Sequence, residues 1–178
     1  MNKFGVENDA IGFSADENQK PYLKNDKNFH FNCAHSGQWV VCAVDDAPVG
    51  IDIERVKSVD FDIAKRFFSD EEYNTLMNIH ESERTDHFFR FWTLKESYLK
   101  AIGKGLRQPL GSFTIRYLEK NIIQLIVNNE VVKKIFFKIY DIDSQYALSV
   151  CATSKGFADT VVIKDVQEIV RTVVPEGL

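Results

Sequence analysis

The apolar and polar positions of this chain alternate at period two near its start and its end, and recur at helical spacing in its middle. Residues 38–44 form an apolar, β-branched run, residues 45–48 have the composition of a turn, and residues 49–54 resume the strand pattern. We predict that these two strands pair as a hairpin. Residues 1–28 show little periodicity, and only a short strand near residues 11–13 is predicted there.

Helical spacing begins after residue 58. Four apolar residues then recur on one face, namely Phe61, Ala64, Phe67 and Phe68. Ser69 is followed by three acids, which predicts an N-cap and the first turn of a second helix. The longest helix is predicted from residue 82 to residue 102, and the glycine-containing segment 103–105 ends it.

Beyond Pro109 the chain becomes rich in β-branched and aromatic residues, which predict further strands. Their expected ranges are 113–117, 122–127, 131–140, 146–152 and 159–163. Asn128-Asn129 and residues 141–144 have the composition of turns. A hairpin, then helices, then an antiparallel sheet together predict an α+β fold.

Two carboxylates share one face of the second predicted strand. Because side chains alternate along a strand, Asp52 and Glu54 point to the same side, and the apolar residues of the strand point to the other. The plain interpretation is the solvated face of a half-exposed strand. Like charges on one face repel, and Asp and Glu are poor strand formers, so a bound cation that offsets this cost is the alternative.

A second group of charged residues lies on the longest predicted helix. Trp92, Glu96 and Lys100 follow one another at intervals of four and therefore form one stripe. A surface ion pair between Glu96 and Lys100 is the plain interpretation. The large indole on the same stripe favours a half-buried stripe that faces a cleft. Lys95 lies beside the stripe and could reach a phosphate, although a solvated lysine is the default interpretation.

Two residues that precede the acidic strand are further candidates. His35 lies in a polar turn that enters a strand, where a lone histidine is more often a surface or structural residue than a functional one. Lys20 precedes Pro21 in what is ordinarily an exposed loop. Spacing alone assigns a function to neither residue.

Composition limits the possible functions. The net charge of −4 and the pI of about 5.6 argue against a general binder of nucleic acid or of anionic membranes, which needs a dense cationic face. The same charge disfavours a metal-dependent nuclease, which would also use acids and a lysine. No apolar stretch approaches the roughly 20 residues that span a bilayer, and the polar first residues lack the apolar core of a secretory signal, so a cytoplasmic protein is expected.

The cysteines give no sign of a site. Cys33, Cys42 and Cys151 form no CxxC pair, and their number is odd. The simplest interpretation is reduced thiols that act as small core residues.

The two charged segments, taken together, resemble the signature motifs of the 4′-phosphopantetheinyl transferases. The motifs are Gly50-Ile-Asp-Ile-Glu54 and Trp92-Thr-Leu-Lys-Glu-Ser-Tyr-Leu-Lys100. Four supporting segments are similar to the surfactin-synthetase-activating (Sfp) branch, at residues 20–22, 31–37, 66–69 and 103–106. The resemblance implies two pseudo-symmetric α+β lobes with the active site between them. It divides the chain into a partial N-terminal lobe at 1–55, a C-terminal lobe at 56–165 and a tail at 166–178.

The resemblance also implies an activity. Enzymes of this family move the phosphopantetheine arm of coenzyme A onto a serine of an acyl or peptidyl carrier protein and release adenosine 3′,5′-bisphosphate. By position, Asp52, Glu54 and Glu96 would hold Mg²⁺ at the pyrophosphate. Glu96 would also accept the serine proton, and Lys100 would stabilise the pyrophosphate and the leaving group.

Further contacts to the two substrates follow from the same resemblance. Lys20 and His35 would contact the 3′-phosphate and the nucleotide portion of coenzyme A, and Lys95 would reach one of its phosphates. Residues 67–72 would contribute to carrier docking, with Glu72 near the incoming serine.

Two departures from the family pattern qualify these expectations. Ala34 stands where family members usually have a serine before the histidine, so one hydroxyl contact to the ligand would be absent. Only 19 residues precede Lys20, and the helix that would cover the sheet of the first lobe is not among them, so that lobe is expected to be incomplete. Apolar surface exposed on it would favour self-association. A non-catalytic relative that binds carrier proteins or coenzyme A is the alternative function.

Overall fold

The computed structural model describes residues 11–24, 26, 28–118 and 122–173. The strands in chain order are β1 Phe13–Ala15, β2 Pro21–Leu23, β3 His30–Ser36, β4 Trp39–Asp45, β5 Val49–Arg55, β6 Thr114–Tyr117, β7 Ile123–Val127, β8 Glu130–Val131, β9 Phe136–Ile139 and β10 Tyr146–Ala152. The α-helices are α1 Asp62–Phe67, α2 Asp70–Asn78, α3 Glu81–Ile102 and α4 Val166–Val173. Helices combined with antiparallel strands confirm the predicted α+β class. The predictions for residues 1–10 lie outside the described residues.

The strand ranges of the predicted hairpin are close to those observed, but the pairing of β4 with β5 is wrong. β4 pairs with β3, with Ser36 opposite Trp39 across a turn at Gly37 and Gln38. Gly37 has a φ of 56°, which glycine adopts without strain and which a two-residue hairpin turn requires. β5 pairs instead with β10, whose other neighbour is β9.

Two side chains join the β3–β4 hairpin to β5. Asn32 Oδ1 accepts a hydrogen bond of 2.9 Å from the Ile51 amide, and Ser36 Oγ accepts one of 3.0 Å from the Arg55 amide. From the first contact to the second, the chain moves forward by four residues in β3 and by four residues in β5. The two strands therefore run in the same direction. The hairpin therefore lies beside the β5–β10–β9 sheet.

Strand β5 has an apolar side and a helix-facing side. Val49, Ile51 and Ile53 are buried in one apolar cluster with residues of β10. Helix α3 packs against the other side at Gly50, where an added Cβ would collide with the Ser97 carbonyl oxygen. A glycine within a strand commonly marks such a close backbone approach, and this one lets α3 lie directly on the strand.

The helix ends follow from their capping residues. Ser69 Oγ accepts a hydrogen bond from the Glu72 amide, and the Glu72 carboxylate accepts one from the Ser69 amide, so α2 begins with a capping box. α3 ends at Gly103 with a φ of 68°. Both predicted helix boundaries are confirmed. Among the described residues, no helix is both long and apolar enough to cross a lipid bilayer.

The C-terminal strand predictions are partly wrong. β6, β7 and β10 lie close to the predicted ranges, and Asn128 and Asn129 form the turn between β7 and β8 with φ values of 52° and 63°. The predicted strand at 131–140 is interrupted at 132–135, and residues 159–163 form no strand. The β-branched residues at 161–163 suggested a strand, but in the described part of the chain no neighbouring strand pairs with them.

The proposed division into lobes stays a prediction. β5 is the last strand of the first predicted lobe, and β10 belongs to the second. The two strands nevertheless pair along their whole length, with Val49 opposite Ala152 at one end and Arg55 opposite Tyr146 at the other. The two predicted lobes therefore share a sheet, and α4 lies in the predicted tail.

Candidate functional site

The contact between β5 and α3 brings an aspartate and a lysine together. Lys100 Nζ lies 2.6 Å from Asp52 Oδ1 and donates a second hydrogen bond of 3.2 Å to the Ile51 carbonyl oxygen. Lys100 is in the last turn of α3, and Asp52 lies two residues beyond Gly50 on the helix-facing side of β5. The close approach at Gly50 thus sets the distance between these two side chains.

Asp52 is a buried carboxylate with an unfilled hydrogen-bonding capacity. Its side chain is 8 % exposed, and Oδ2 is buried with no hydrogen-bond partner. Burial raises the pKa of Asp52 to about 7, with smaller contributions in the same direction from Glu54 and Glu96, while Lys100 opposes the rise. A buried carboxylate oxygen without a partner is costly unless a ligand completes it.

Glu54 on β5 and Glu96 on α3 are near enough to Asp52 for their charges to raise its pKa. Burial raises the pKa of Glu96, and the nearby charge of Glu54 adds to this effect, while Lys100 lowers it. Glu54 Oε2 accepts a hydrogen bond of 3.3 Å from Ser36 Oγ. The predicted acids and Lys100 are therefore mutually close, although no three His, Cys, Asp or Glu side chains in the described ranges form a ready metal-binding group.

His35 lies on the side of β3 opposite to Ala34. Its neighbour Ala34 packs in the apolar cluster with Val49 and Ile51 on the opposite side, so alternation directs His35 away from that cluster. The histidine is exposed, and it lies directly opposite Val40 on β4. It is thus accessible to a ligand that lies over this side of the sheet.

Lys20 is tied to the end of α3. Its Nζ donates to the carbonyl oxygens of Lys100 at 2.5 Å, Ala101 at 3.2 Å and Val49 at 3.2 Å. Burial lowers the pKa of Lys20, and Asp16 partly offsets this. A cation at the carbonyl end of a helix is electrostatically favourable, so this lysine stabilises the junction of β2, β5 and α3. It also lines a cavity of about 250 Å³ together with Phe29, Phe31 and Gly103, among others.

The expectation that Lys95 reaches a phosphate does not fit the structure. The Lys95 side chain is 0 % exposed, and its ammonium contacts both oxygens of Glu72 at 2.6 Å and the Phe113 carbonyl oxygen at 2.9 Å. Glu72 also accepts hydrogen bonds from the amides of Ser69 and Ile115. Because Glu72 is enclosed in the same way, the expectation that it lies near an incoming serine does not fit either. Both residues stabilise the core.

Sequence reasoning missed three residues that position the site. Asn32 and Ser36 fix β3 against β5, and Ser36 also holds Glu54. Their signal was weak, because small polar residues in a strand are usually solvated. Gly50 had a stronger signal, since an isolated glycine in a strand often marks a close backbone approach.

Comparison with known proteins gives consistent matches. The family described as the 4′-phosphopantetheinyl transferase superfamily matches residues 48–151. A 4′-phosphopantetheinyl transferase of Bacillus subtilis is 41 % identical over 166 residues, covering 93 % of this chain and 74 % of the relative. The 4′-phosphopantetheinyl transferase Sfp of Bacillus subtilis strain 168 is 36 % identical over 167 residues, covering 94 % and 74 %.

A solved structure supports the fold. The holo-(acyl-carrier-protein) synthase from Bacillus anthracis, in complex with CoA (3′,5′-ADP), superimposes with a TM-score of 0.51 at 20 % identity. The match covers 60 % of this chain and 94 % of that structure. At this identity the likeness concerns the fold alone.

Proposed function

Because the chain belongs to the 4′-phosphopantetheinyl transferase superfamily, we propose that it transfers the 4′-phosphopantetheine arm of coenzyme A to a serine of an apo acyl or peptidyl carrier protein and releases adenosine 3′,5′-bisphosphate. The observation that carries this proposal is the unpartnered, buried Oδ2 of Asp52 beside two further acids and Lys100. A site with three carboxylates and one lysine is suited to a cation and a polyphosphate.

In the proposed reaction, the serine oxygen attacks the phosphorus next to the pantetheine arm. The bond from that phosphorus to the bridging oxygen breaks, and adenosine 3′,5′-bisphosphate leaves. We assign Glu96 as the base, because burial raises its pKa towards the range in which a carboxylate accepts a proton efficiently. We assign Lys100 to the negative charge that develops on the leaving group.

The metal assignment rests on the donor set. We propose that Asp52, Glu54 and Glu96 hold Mg²⁺, since hard carboxylate oxygens are the ligands that this ion prefers and Asp52 Oδ2 has no other partner. When bound, the ion would neutralise charge at the pyrophosphate. The role of the protein is to present ionised carboxylates, which Asp52 does more completely above its pKa of about 7.

Thermal unfolding tests the metal site without measuring activity. We expect Mg²⁺ to raise the Tm more at pH 8 than at pH 6, because ligand carboxylates must be ionised to bind. The Asp52→Asn variant should show a much smaller increase at either pH. An equal increase in the wild type and in this variant would remove Asp52 from the metal site.

We propose His35 and Lys20 as contacts to coenzyme A, with different roles. His35 is exposed on β3, so its side chain is accessible to a phosphate. Lys20 lines the neighbouring cavity of about 250 Å³, but three carbonyl oxygens already hold its ammonium. Its main effect would be to fix the end of α3, which carries Lys100.

Mass spectrometry tests the activity. Incubation with coenzyme A, Mg²⁺ and an apo carrier protein should add about 340 Da to the carrier, which is the mass of the transferred arm. Glu96→Gln should abolish the addition, whereas Glu83→Gln, an exposed glutamate on the same helix, should not. If the folded wild type binds carrier protein or coenzyme A and never forms the adduct, the chain is a binding relative rather than an enzyme.

Self-association through the incomplete first lobe also stays a prediction, and we propose that it uses an apolar surface that includes β4 of that lobe. A groove of about 600 Å³ lies between β4, β10 and the segment that leads into α4. Val162 and Val166 at its edge are 76 % and 70 % exposed. Contact between these surfaces of two copies would cover them. Analytical ultracentrifugation should then detect a dimer that Val162→Glu weakens; a monomer at all concentrations would reject the prediction.

A further inference from the structure

Two of the three thiols face each other across the β3–β4 hairpin. The expectation that the cysteines are core residues holds for Cys151, which is buried, and is wrong for Cys33 and Cys42, which are free and exposed. Cys33 lies directly opposite Cys42 in the antiparallel register. Because both thiols are exposed, burial in the core does not account for the pair.

The register places this pair at a position suited to a covalent bond. Ser36 and Trp39 flank the two-residue turn, so they form a hydrogen-bonded pair, and pairs alternate along the ladder from there. Cys33 and Cys42 are three pairs further along and therefore form a non-hydrogen-bonded pair. The Cα atoms of such pairs are about 4.5 Å apart, which lies within the range that a disulfide spans.

The thiols also interact with each other. Partial burial and a hydrogen bond with Cys33 raise the pKa of Cys42 to about 12. Cys42 is therefore a poor first nucleophile at neutral pH, and Cys33 is the residue expected to react first. Once Cys33 is in a mixed disulfide, its thiol no longer contributes to the raised pKa of Cys42, and the contribution of burial, which is the largest, remains.

We propose that Cys33 and Cys42 are a redox modification site that forms a reversible cross-strand disulfide when the protein meets a low-molecular-weight disulfide. The Cys33 thiolate attacks one sulfur of that disulfide and releases the first small thiol. The Cys42 thiolate then attacks Cys33 Sγ in the mixed disulfide and releases the second. Two electrons pass from the protein thiols to the oxidant, and the two protons end on the two small thiols.

The bond would constrain the strand that carries His35. Cys33 lies two residues before His35 on the same side of β3, and the two-residue turn closes the other end of the hairpin. Oxidation would therefore link β3 to β4 on both sides of His35. The main physical effect would be a more restricted unfolded chain and a higher Tm.

Oxidised glutathione is the probe for this proposal. The full chain is incubated with it at pH 8, unfolded in denaturant and alkylated, and the intact mass is measured. We expect the number of alkylated thiols to fall from three to one and the protein itself to lose about 2 Da, with both changes reversed by dithiothreitol. Chymotryptic cleavage after Trp39 should leave two fragments linked by the bond. The Tm of the oxidised form should exceed that of the reduced form.

Single variants separate this site from random oxidation. Cys151→Ser should still form the internal bond, whereas Cys33→Ser and Cys42→Ser should not form it, and Cys42→Ser should stop at the mixed disulfide with glutathione on Cys33. Three alkylated thiols in the oxidised wild type, a bond to Cys151, or only disulfide-linked dimers would each overturn the proposal. Because these readouts do not involve coenzyme A or a carrier protein, they are independent of the proposed activity.

Discussion

Helix α3 carries two lysines, five residues apart, that each pair with a carboxylate. The two pairs have the same nitrogen–oxygen distance but differ in burial and in how many hydrogen bonds the carboxylate accepts. Lys95 to Glu72 and Lys100 to Asp52 are both 2.6 Å long. The first pair is fully buried, with both side chains 0 % exposed. The second is at the edge of the core, with Lys100 29 % and Asp52 8 % exposed. Identical chemistry on one helix is thus placed in two environments.

The informative difference is how completely each carboxylate is satisfied. Glu72 accepts hydrogen bonds from Lys95 and from two backbone amides, one of which is the amide of its own N-cap residue. Asp52 accepts one from Lys100 and has a buried oxygen with no partner. A satisfied buried pair fixes a core, whereas an unsatisfied one is available to a ligand. The comparison therefore assigns structure to the first pair and chemistry to the second.

The largest expected effect is a loss of stability when the fully buried pair of Lys95 and Glu72 is broken. Lys95→Met leaves the Glu72 carboxylate buried without its cation, which should cost about 3 to 5 kcal/mol in the free energy of unfolding. Urea unfolding followed by circular dichroism measures it. The double variant Lys95→Met, Glu72→Gln should recover part of the loss, because the amide oxygen of Gln can still accept from backbone amides.

Lys100→Met is the matched control, since it removes the same charge five residues further along the same helix. Its loss of stability should be clearly smaller, because Asp52 can become neutral by binding a proton near pH 7. Equal losses for Lys95→Met and Lys100→Met would mean that the two pairs do not differ as the comparison claims.

The next effect is on the proposed transfer reaction. Lys100→Met should lower kcat/KM by about 10²- to 10³-fold, the size expected when a donor to developing negative charge is removed. Phosphopantetheine transfer to the carrier, followed over time by mass spectrometry, gives the rate constants. A variant that keeps wild-type kcat/KM while remaining folded would exclude Lys100 from the chemistry.

The stability of the protein should depend on pH through Asp52. The pKa of Asp52 is about 7 in the folded protein and about 3.9 in an unfolded chain. The folded state therefore binds the extra proton in this window, and stability falls as pH rises from about 4 to about 7. The loss should be about 2 to 4 kcal/mol, with the effect of Lys100 already contained in the pKa of about 7.

Asp52→Asn provides the measurement of that contribution. Urea unfolding at several pH values between 5 and 8 should give a flatter curve for this variant than for the wild type, with the two curves closest in shape above pH 7. Parallel curves over the whole range would show that Asp52 titrates as it does in the unfolded chain, and its burial would then have no effect on its protonation.

Sequence patterns predicted the ranges of helices and strands well. They predicted poorly which strands and which side chains pair with each other. The start of α2 and both ends of α3 and β10 were predicted to within a residue, because capping residues and periodicity are local properties. The pairing of β4 with β3 uses a turn with a positive φ at Gly37, and the contact of Asn32 with Ile51 joins residues 19 positions apart, so neither was evident from local patterns. The expectation for Lys95 was wrong for the same reason. Its partner Glu72 lies 23 residues away, and no local pattern indicates that contact.

The smallest expected effect belongs to a third ion pair, which tests whether distance alone determines these differences. Arg116 and Glu71 form two hydrogen bonds of 2.6 and 2.7 Å, as short as those of the other pairs, but the side chains are 43 % and 44 % exposed. Water and salt screen such a pair, so Arg116→Met should shift the urea midpoint too little to resolve and should leave transfer unchanged. Repeating the measurement at low and high salt checks for a screened contribution. A loss as large as that of Lys95→Met would show that burial is not what separates the three pairs, and the assignment of structure and chemistry along α3 would lose its physical basis.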